Sequence, residues 1–209
     1  MSEKRSSILH SVGDKGVGDS PRGKTFGKKG IYLLPNLVTT GALFAGFYAI
    51  IAAMSGDFLP AIYSTLLAMF LDTADGRIAR VTATESEFGA QFDSLSDMVA
   101  FGVAPAVLAF SWSLSTLGQI GWIVSFIYMA CAALRRARFN STADSSDFTG
   151  LASPSAAGLV VFSIWVAVSS GISSPKLSLS LLALALTAGA GLLMVSNFKY
   201  FSPKGIKLK

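Results

Sequence analysis

Asp72, Asp75, Asp93 and Asp97 stand in the pattern Asp-x-x-Asp-Gly-x-x-Ala-Arg, eight residues, then Gly-x-x-x-Asp-x-x-x-Asp, within segments otherwise apolar enough to enter a membrane. An ionised carboxylate in a low-dielectric medium costs several kcal/mol unless it is paired or coordinates a cation. Positions i, i+3 and i, i+4 share a helix face, so each aspartate pair points one way. Two such helices facing each other present four hard oxygen donors, which suits Mg²⁺ or Mn²⁺, particularly where a phosphate adds further oxygens. The competing account is a structural cluster with Arg77 and Arg80, but two arginines do not neutralise four carboxylates. Gly76 and Gly89 let a ligand or a neighbouring helix approach the backbone. Ala79 keeps that face small, and Arg80 offers a planar donor fork suited to phosphate.

The elements that position these acids follow from composition. Of 209 residues, 52% are hydrophobic and 14% charged, and the mean hydropathy is +0.57; an ordinary soluble domain carries about 25% charged residues. The chain therefore reads as an integral membrane protein, and no nucleic-acid partner is expected. Its one histidine, His10, lies in a polar N-terminal stretch, so carboxylates rather than a buried imidazole must do any acid–base work. Its one cysteine, Cys131, sits in an apolar run, which excludes a disulfide framework or thiolate metal site and reads as a small core hydrophobe.

The expected fold is all-α and polytopic, with six transmembrane helices. Stretches near the roughly 20 residues needed to cross a bilayer run over Ile31–Met54, Phe58–Asp75, Phe92–Trp112, Ile120–Leu134, Ser155–Gly171 and Leu177–Asn197. Residues 1–30, rich in Gly, Ser and Lys, read as a flexible basic arm, residues 31–199 as the catalytic membrane domain and residues 200–209 as a basic tail. Lys28 and Lys29 orient the first span or hold anionic head groups. Charge placement checks the count, because Lys and Arg concentrate in cytoplasmic connections. Seven lie in the arm, Arg77 and Arg80 in the second connection, Arg135, Arg136 and Arg138 in the fourth, and Lys199, Lys204, Lys207 and Lys209 after the last span; Lys176 alone falls on the other side. An even number of spans with both termini cytoplasmic fits this distribution. It places the aspartates at the cytoplasmic face of the cell's inner membrane.

The aspartate pattern resembles the signature of the CDP-alcohol phosphotransferases, matched at every position. That resemblance implies a six-helix membrane enzyme, commonly a homodimer, that moves a substituted phosphoryl group from a CDP-linked donor to an alcohol and releases CMP. It implies Asp72, Asp75 and Asp93 as metal ligands, Asp97 as ligand and general base, and Gly76, Arg80, Ser86 and Gly89 as neighbours of the CDP moiety. Asn36 and Thr39, in Pro35-Asn36-Leu37-Val38-Thr39, match a second family feature near the nucleotide; hydrogen bonding between helices explains them equally well.

Four further stretches resemble the membrane-type bacterial phosphatidylserine synthases: Gly30 to Asn36, Leu134 to Asn140, Gly150 to Gly158 and Met194 to Tyr200. Ala152 stands where proline is usual in that group, and Arg136 where leucine is usual. The implied reaction transfers the phosphatidyl group of CDP-diacylglycerol to the hydroxyl of L-serine. Serine brings a carboxylate that a bidentate arginine holds well; Arg135 and Arg138, three apart on one helix face, are candidates for it or for the donor's phosphates. Glycerol 3-phosphate or an inositol phosphate are alternative acceptors, although a doubly charged acceptor calls for more converging basic residues. A cation transporter lined by intramembrane acids is the alternative from another class. Transporters more often place those acids at the midplane on broken helices.

Overall fold

The computed structural model describes residues 25–83, 86–141, 150–172 and 175–196. Most of the arm, His10, the tail and the Asn197 to Tyr200 stretch lie outside the described residues. Among the described residues there are six long helical rods: α1 (Thr25–Met54), α2 (Phe58–Thr82), α3 (Glu87–Trp112), α4 (Gln119–Ser141), α5 (Ser153–Ser169) and α6 (Leu177–Val195). There is no strand among the described residues. The six expected spans are thus six helices, and α1, α3, α4 and α6 are long and apolar enough to cross a membrane. α5 is apolar but shorter, and α2 carries the motif's first two carboxylates. Helix α1 begins at Thr25, six residues before the expected boundary. α2 runs on to Thr82, past the expected end at Asp75. Extending a helix beyond the apolar stretch keeps its backbone N–H and C=O groups paired where the membrane cannot pair them.

Small residues at helical spacing set the packing. Ala42, Ala45, Ala49, Ala52 and Ala53 are buried on one face of α1, and that face meets α2 in the most extensive helix pair of the fold. A Cβ on Gly46 would lie 2.8 Å from Ala100 Cα, so α1 and α3 touch backbone to backbone there. A Cβ on Gly191 of α6 would lie 3.0 Å from Tyr128 Cα of α4, and Gly41 meets Leu71, whereas Gly189 faces open space. Larger apolar side chains, among them Phe44, Phe47, Phe126 and Phe162, are exposed on the outside, where lipid would cover them. Cys131 is buried in the core with Tyr128, Trp112 and Ile164.

Helix α3 is not a uniform α-helix. Glu87–Asp97 is α-helical, Met98–Val103 forms a wider π turn, and Ala104–Trp112 is α-helical again. The cause is local. Pro105 has no N–H, so the carbonyl four residues earlier, Phe101 O, loses its ordinary partner. Around it the bonding widens, with Ala104 N–H reaching Val99 O, and the Tyr128 hydroxyl donates to Phe101 O at 3.1 Å. The π turn rotates the first part of α3, which carries Asp93 and Asp97, relative to the remainder.

At one end of the bundle the helices are tied by hydrogen bonds. There Arg135 Nη1 donates to Ser153 Oγ at 3.1 Å, Asn140 Nδ2 donates to Ser94 Oγ at 3.1 Å, and Leu151 N–H donates to Leu193 O at 3.0 Å. These contacts tie the ends of α4 and α6 and the starts of α3 and α5 together, beside the end of α2.

Candidate active site

The stripe that buries α2 also delivers its carboxylates. Ala61, Thr65, Ala68 and Asp75 are buried and Asp72 is half-buried, at successive spacings of three and four residues. The acids continue the inward face as α2 leaves the apolar layer. Across from them, α3 starts at a helix cap: Ser86 Oγ accepts the Gly89 N–H at 3.0 Å. That cap fixes the first turn and, with it, the direction of Asp93 one turn on.

Asp72, Asp75 and Asp93 each offer a carboxylate oxygen within 4.8 Å of the others. Oxygens sharing one Mg²⁺ lie roughly 2.9 to 4.2 Å apart, given metal–oxygen distances near 2.1 Å in octahedral geometry. A small side-chain adjustment thus makes the trio a ring of hard donors for a divalent cation. Asp75 is the most enclosed member, 4% exposed, and its Oδ2 accepts the Thr39 hydroxyl at 2.7 Å. Thr39 is held in turn by Ser96 of α3, whose hydroxyl donates to Thr39 O at 3.2 Å. Three helices therefore set the orientation of one carboxylate.

Asp97 is placed differently. It is buried and lies outside that ring of three, and its Oδ2 is ion-paired with the guanidinium of Arg136. The charge of Arg136 also acts on Asp72 and Asp93. Arg135 is half-buried and engaged with Ser153, and Arg138 is exposed; neither lines the cleft described next.

A cleft of about 450 Å³ opens beside the ring. Asp75 and Asp93 form part of its wall, together with Asn36, Thr39, Gly76, Arg80, Ser86 and Gly89. Every residue expected next to a CDP moiety is thus brought to one surface. Arg80 Nε donates to Gly76 O at 2.9 Å, which holds the guanidinium along α2 at the cleft wall. A Cβ on Gly89 would sit 3.1 Å from Ser86 Oγ and 3.4 Å from Asn36 Oδ1, so glycine at this position keeps the cap and the cleft open together. Pro35, Ala79, Ala90 and Phe139 complete the lining. Phe139 and Arg136 were not singled out from sequence as site residues. Their signal was present in the spacing of α4, where Ser125, Tyr128 and Ala132 form a buried stripe that runs directly into Arg136.

A bundle of membrane helices with an aspartate ring beside a polar cleft defines a class, and comparison with known proteins gives its name: residues 32–195 match the CDP-alcohol phosphatidyltransferases. The chain belongs to that family and is a membrane phosphotransferase, which replaces the transporter alternative. Among individual proteins it is similar to the CDP-diacylglycerol–serine O-phosphatidyltransferase of Helicobacter pylori, 39% identical over 183 residues covering 85% of this chain and 75% of that one. The Bacillus subtilis protein of the same name is 34% identical over 168 residues, 80% of this chain and 89% of that one. The Methanocaldococcus jannaschii protein so named is 41% identical over 134 residues, 64% and 60% of the two chains.

Proposed function

We propose that this enzyme transfers the phosphatidyl group of CDP-diacylglycerol to L-serine, giving phosphatidylserine and CMP. The observation that carries this reading is the shared wall: Asp75 and Asp93 belong both to the three-carboxylate ring and to the cleft that holds Asn36, Thr39, Gly76, Arg80, Ser86 and Gly89. A donor lying in the cleft brings its pyrophosphate to the aspartates while its acyl chains remain among the helices. Relatives named for the serine reaction support the choice of acceptor.

Asp72, Asp75 and Asp93 would hold the divalent cation, Mg²⁺ or Mn²⁺, which when bound withdraws charge from the phosphoryl oxygens. Arg80 offers its donors to the donor's phosphates from the cleft wall. Asp97 accepts the proton of the serine hydroxyl as its oxygen bonds to phosphorus, and the bond from phosphorus to the CMP oxygen breaks, releasing CMP. Arg135 and Arg138 remain candidates for the serine carboxylate. The concentration of Lys and Arg at this end of the bundle and in the terminal segments supports a cytoplasmic location for it and for both termini. The family resemblance also carries a homodimer, which light scattering on the purified protein tests.

The decisive experiment supplies purified enzyme with labelled CDP-diacylglycerol and, in turn, L-serine, glycerol 3-phosphate and inositol phosphate, and measures CMP release with and without metal. Release should require metal and should be fastest with serine. Faster release with either phosphorylated alcohol would refute the acceptor, and Asp97→Asn with near-normal turnover would refute the base.

A further inference from the structure

Four carboxylates meet at this end of the bundle, and they are not equivalent. Asp72, Asp75 and Asp93 converge on one another. Asp97, four residues beyond Asp93, is 3% exposed and has its own counter-ion in the guanidinium of Arg136. Arg136 is itself withdrawn from solvent, with a side chain 16% exposed, and its charge reaches Asp72 and Asp93 as well. Its Nε is buried with no hydrogen-bond partner. The ion pair with Asp97 is what engages the guanidinium at this centre. Its neighbour Arg135 is tied to Ser153, and Arg138 is exposed.

We propose that Arg136 is a resident cation of the aspartate centre: it holds Asp97 out of the ring of Asp72, Asp75 and Asp93, and it competes with the divalent ion for the negative charge of that ring. The inference rests on reading the ring as the metal site. Two effects act in the same direction. A fixed positive charge repels an entering cation, and charges in a partly buried site are only weakly screened. An aspartate paired to a guanidinium is also one fewer oxygen donor for the metal. Arg136 thus raises the metal concentration at which the site fills and keeps the Asp97 carboxylate apart from the ring.

The test is Mn²⁺ binding to the purified full-length protein in detergent, read from the electron paramagnetic resonance of free Mn²⁺, for the wild type, Arg136→Leu, Arg136→Gln and Arg136→Lys. Removing the charge should tighten Mn²⁺ binding on the order of tenfold in both neutral variants, while Arg136→Lys stays near wild type. The metal concentration giving half-maximal CMP release should fall in parallel. If the wild type binds Mn²⁺ and folded neutral variants bind it equally or more weakly, Arg136 is only a structural partner of Asp97 and the proposal is overturned. In that case their metal-free melting temperature alone should drop. A wild type that binds no Mn²⁺, and whose CMP release ignores metal, would overturn the metal-site reading itself.

Discussion

Thr39→Val removes a single hydroxyl from the aspartate centre while nearly conserving side-chain volume. Thr39 is 4% exposed, and its Oγ1 lies 2.7 Å from Asp75 Oδ2 and 3.0 Å from Pro35 O. One hydroxyl proton serves one acceptor at a time, and the shorter contact to the charged acceptor is the stronger. A hydrogen bond to a charged group contributes about 1.5–3 kcal/mol, a factor of roughly 10–150 in an equilibrium constant. Loss of a partner that orients a metal-binding carboxylate typically weakens metal binding about 10–100-fold, so the two routes to the magnitude agree. The expected outcome is Mn²⁺ affinity lowered about 10–100-fold, with CMP release depressed at low metal and recovering as metal is raised. Thr39→Ser keeps the donor and should remain within about threefold of wild type, losing only the packing of one methyl, about 1 kcal/mol. The reasoning fails if Thr39→Val binds Mn²⁺ within twofold of wild type but melts at lower temperature. The hydroxyl would then tie helices without orienting a ligand.

Gly89→Ala places a methyl 3.1 Å from Ser86 Oγ and 3.4 Å from Asn36 Oδ1; it should raise KM for CDP-diacylglycerol about fivefold through a disturbed cap worth about 1 kcal/mol, measured by initial rates in mixed micelles, with kcat less affected. Tyr128→Phe leaves Phe101 O without its 3.1 Å donor and should cost about 1–2 kcal/mol, seen as a lower melting temperature in detergent; an unchanged value would mean that the π turn satisfies this carbonyl by itself. Gly46→Ala brings a Cβ to 2.8 Å from the Ala100 backbone and should destabilise the fold by about 1–3 kcal/mol, detected as reduced recovery of folded protein. Gly189→Ala, facing open space, is the matched control and should behave as wild type.

The features legible in the sequence were those whose physics is local or additive. Six helices follow from hydropathy, because a membrane forces each apolar stretch to satisfy its own backbone. The grouping of Arg77, Arg80 and the arginines of Leu134 to Asn140 at one end follows from alternation along an even number of spans. Asp72 and Asp75 share a face because three residues is nearly one helical turn, and their register with Ala61, Thr65 and Ala68 turns that face inward. What was not legible depends on which helix stands opposite which. A lone hydroxyl at Thr39 serves equally well as a tie between helices or as a site residue, and in the structure it is a tie to Asp75 that also lines the cleft. The π turn had only Pro105 as its trace, and nothing local to it shows that Tyr128 of another helix donates to Phe101 O. Arg136 is the sharpest case. Beside Arg135 and Arg138 it reads as one more charge marking a side of the membrane, and only the assembled bundle distinguishes the three: one tied to Ser153, one exposed and one facing Asp97. A charge whose role depends on a partner 39 residues earlier in the chain leaves no local pattern beyond its position on a buried stripe. At that position Arg136 divides the four acids into a ring of three and one held apart, a division that the spacing of the aspartates alone does not contain.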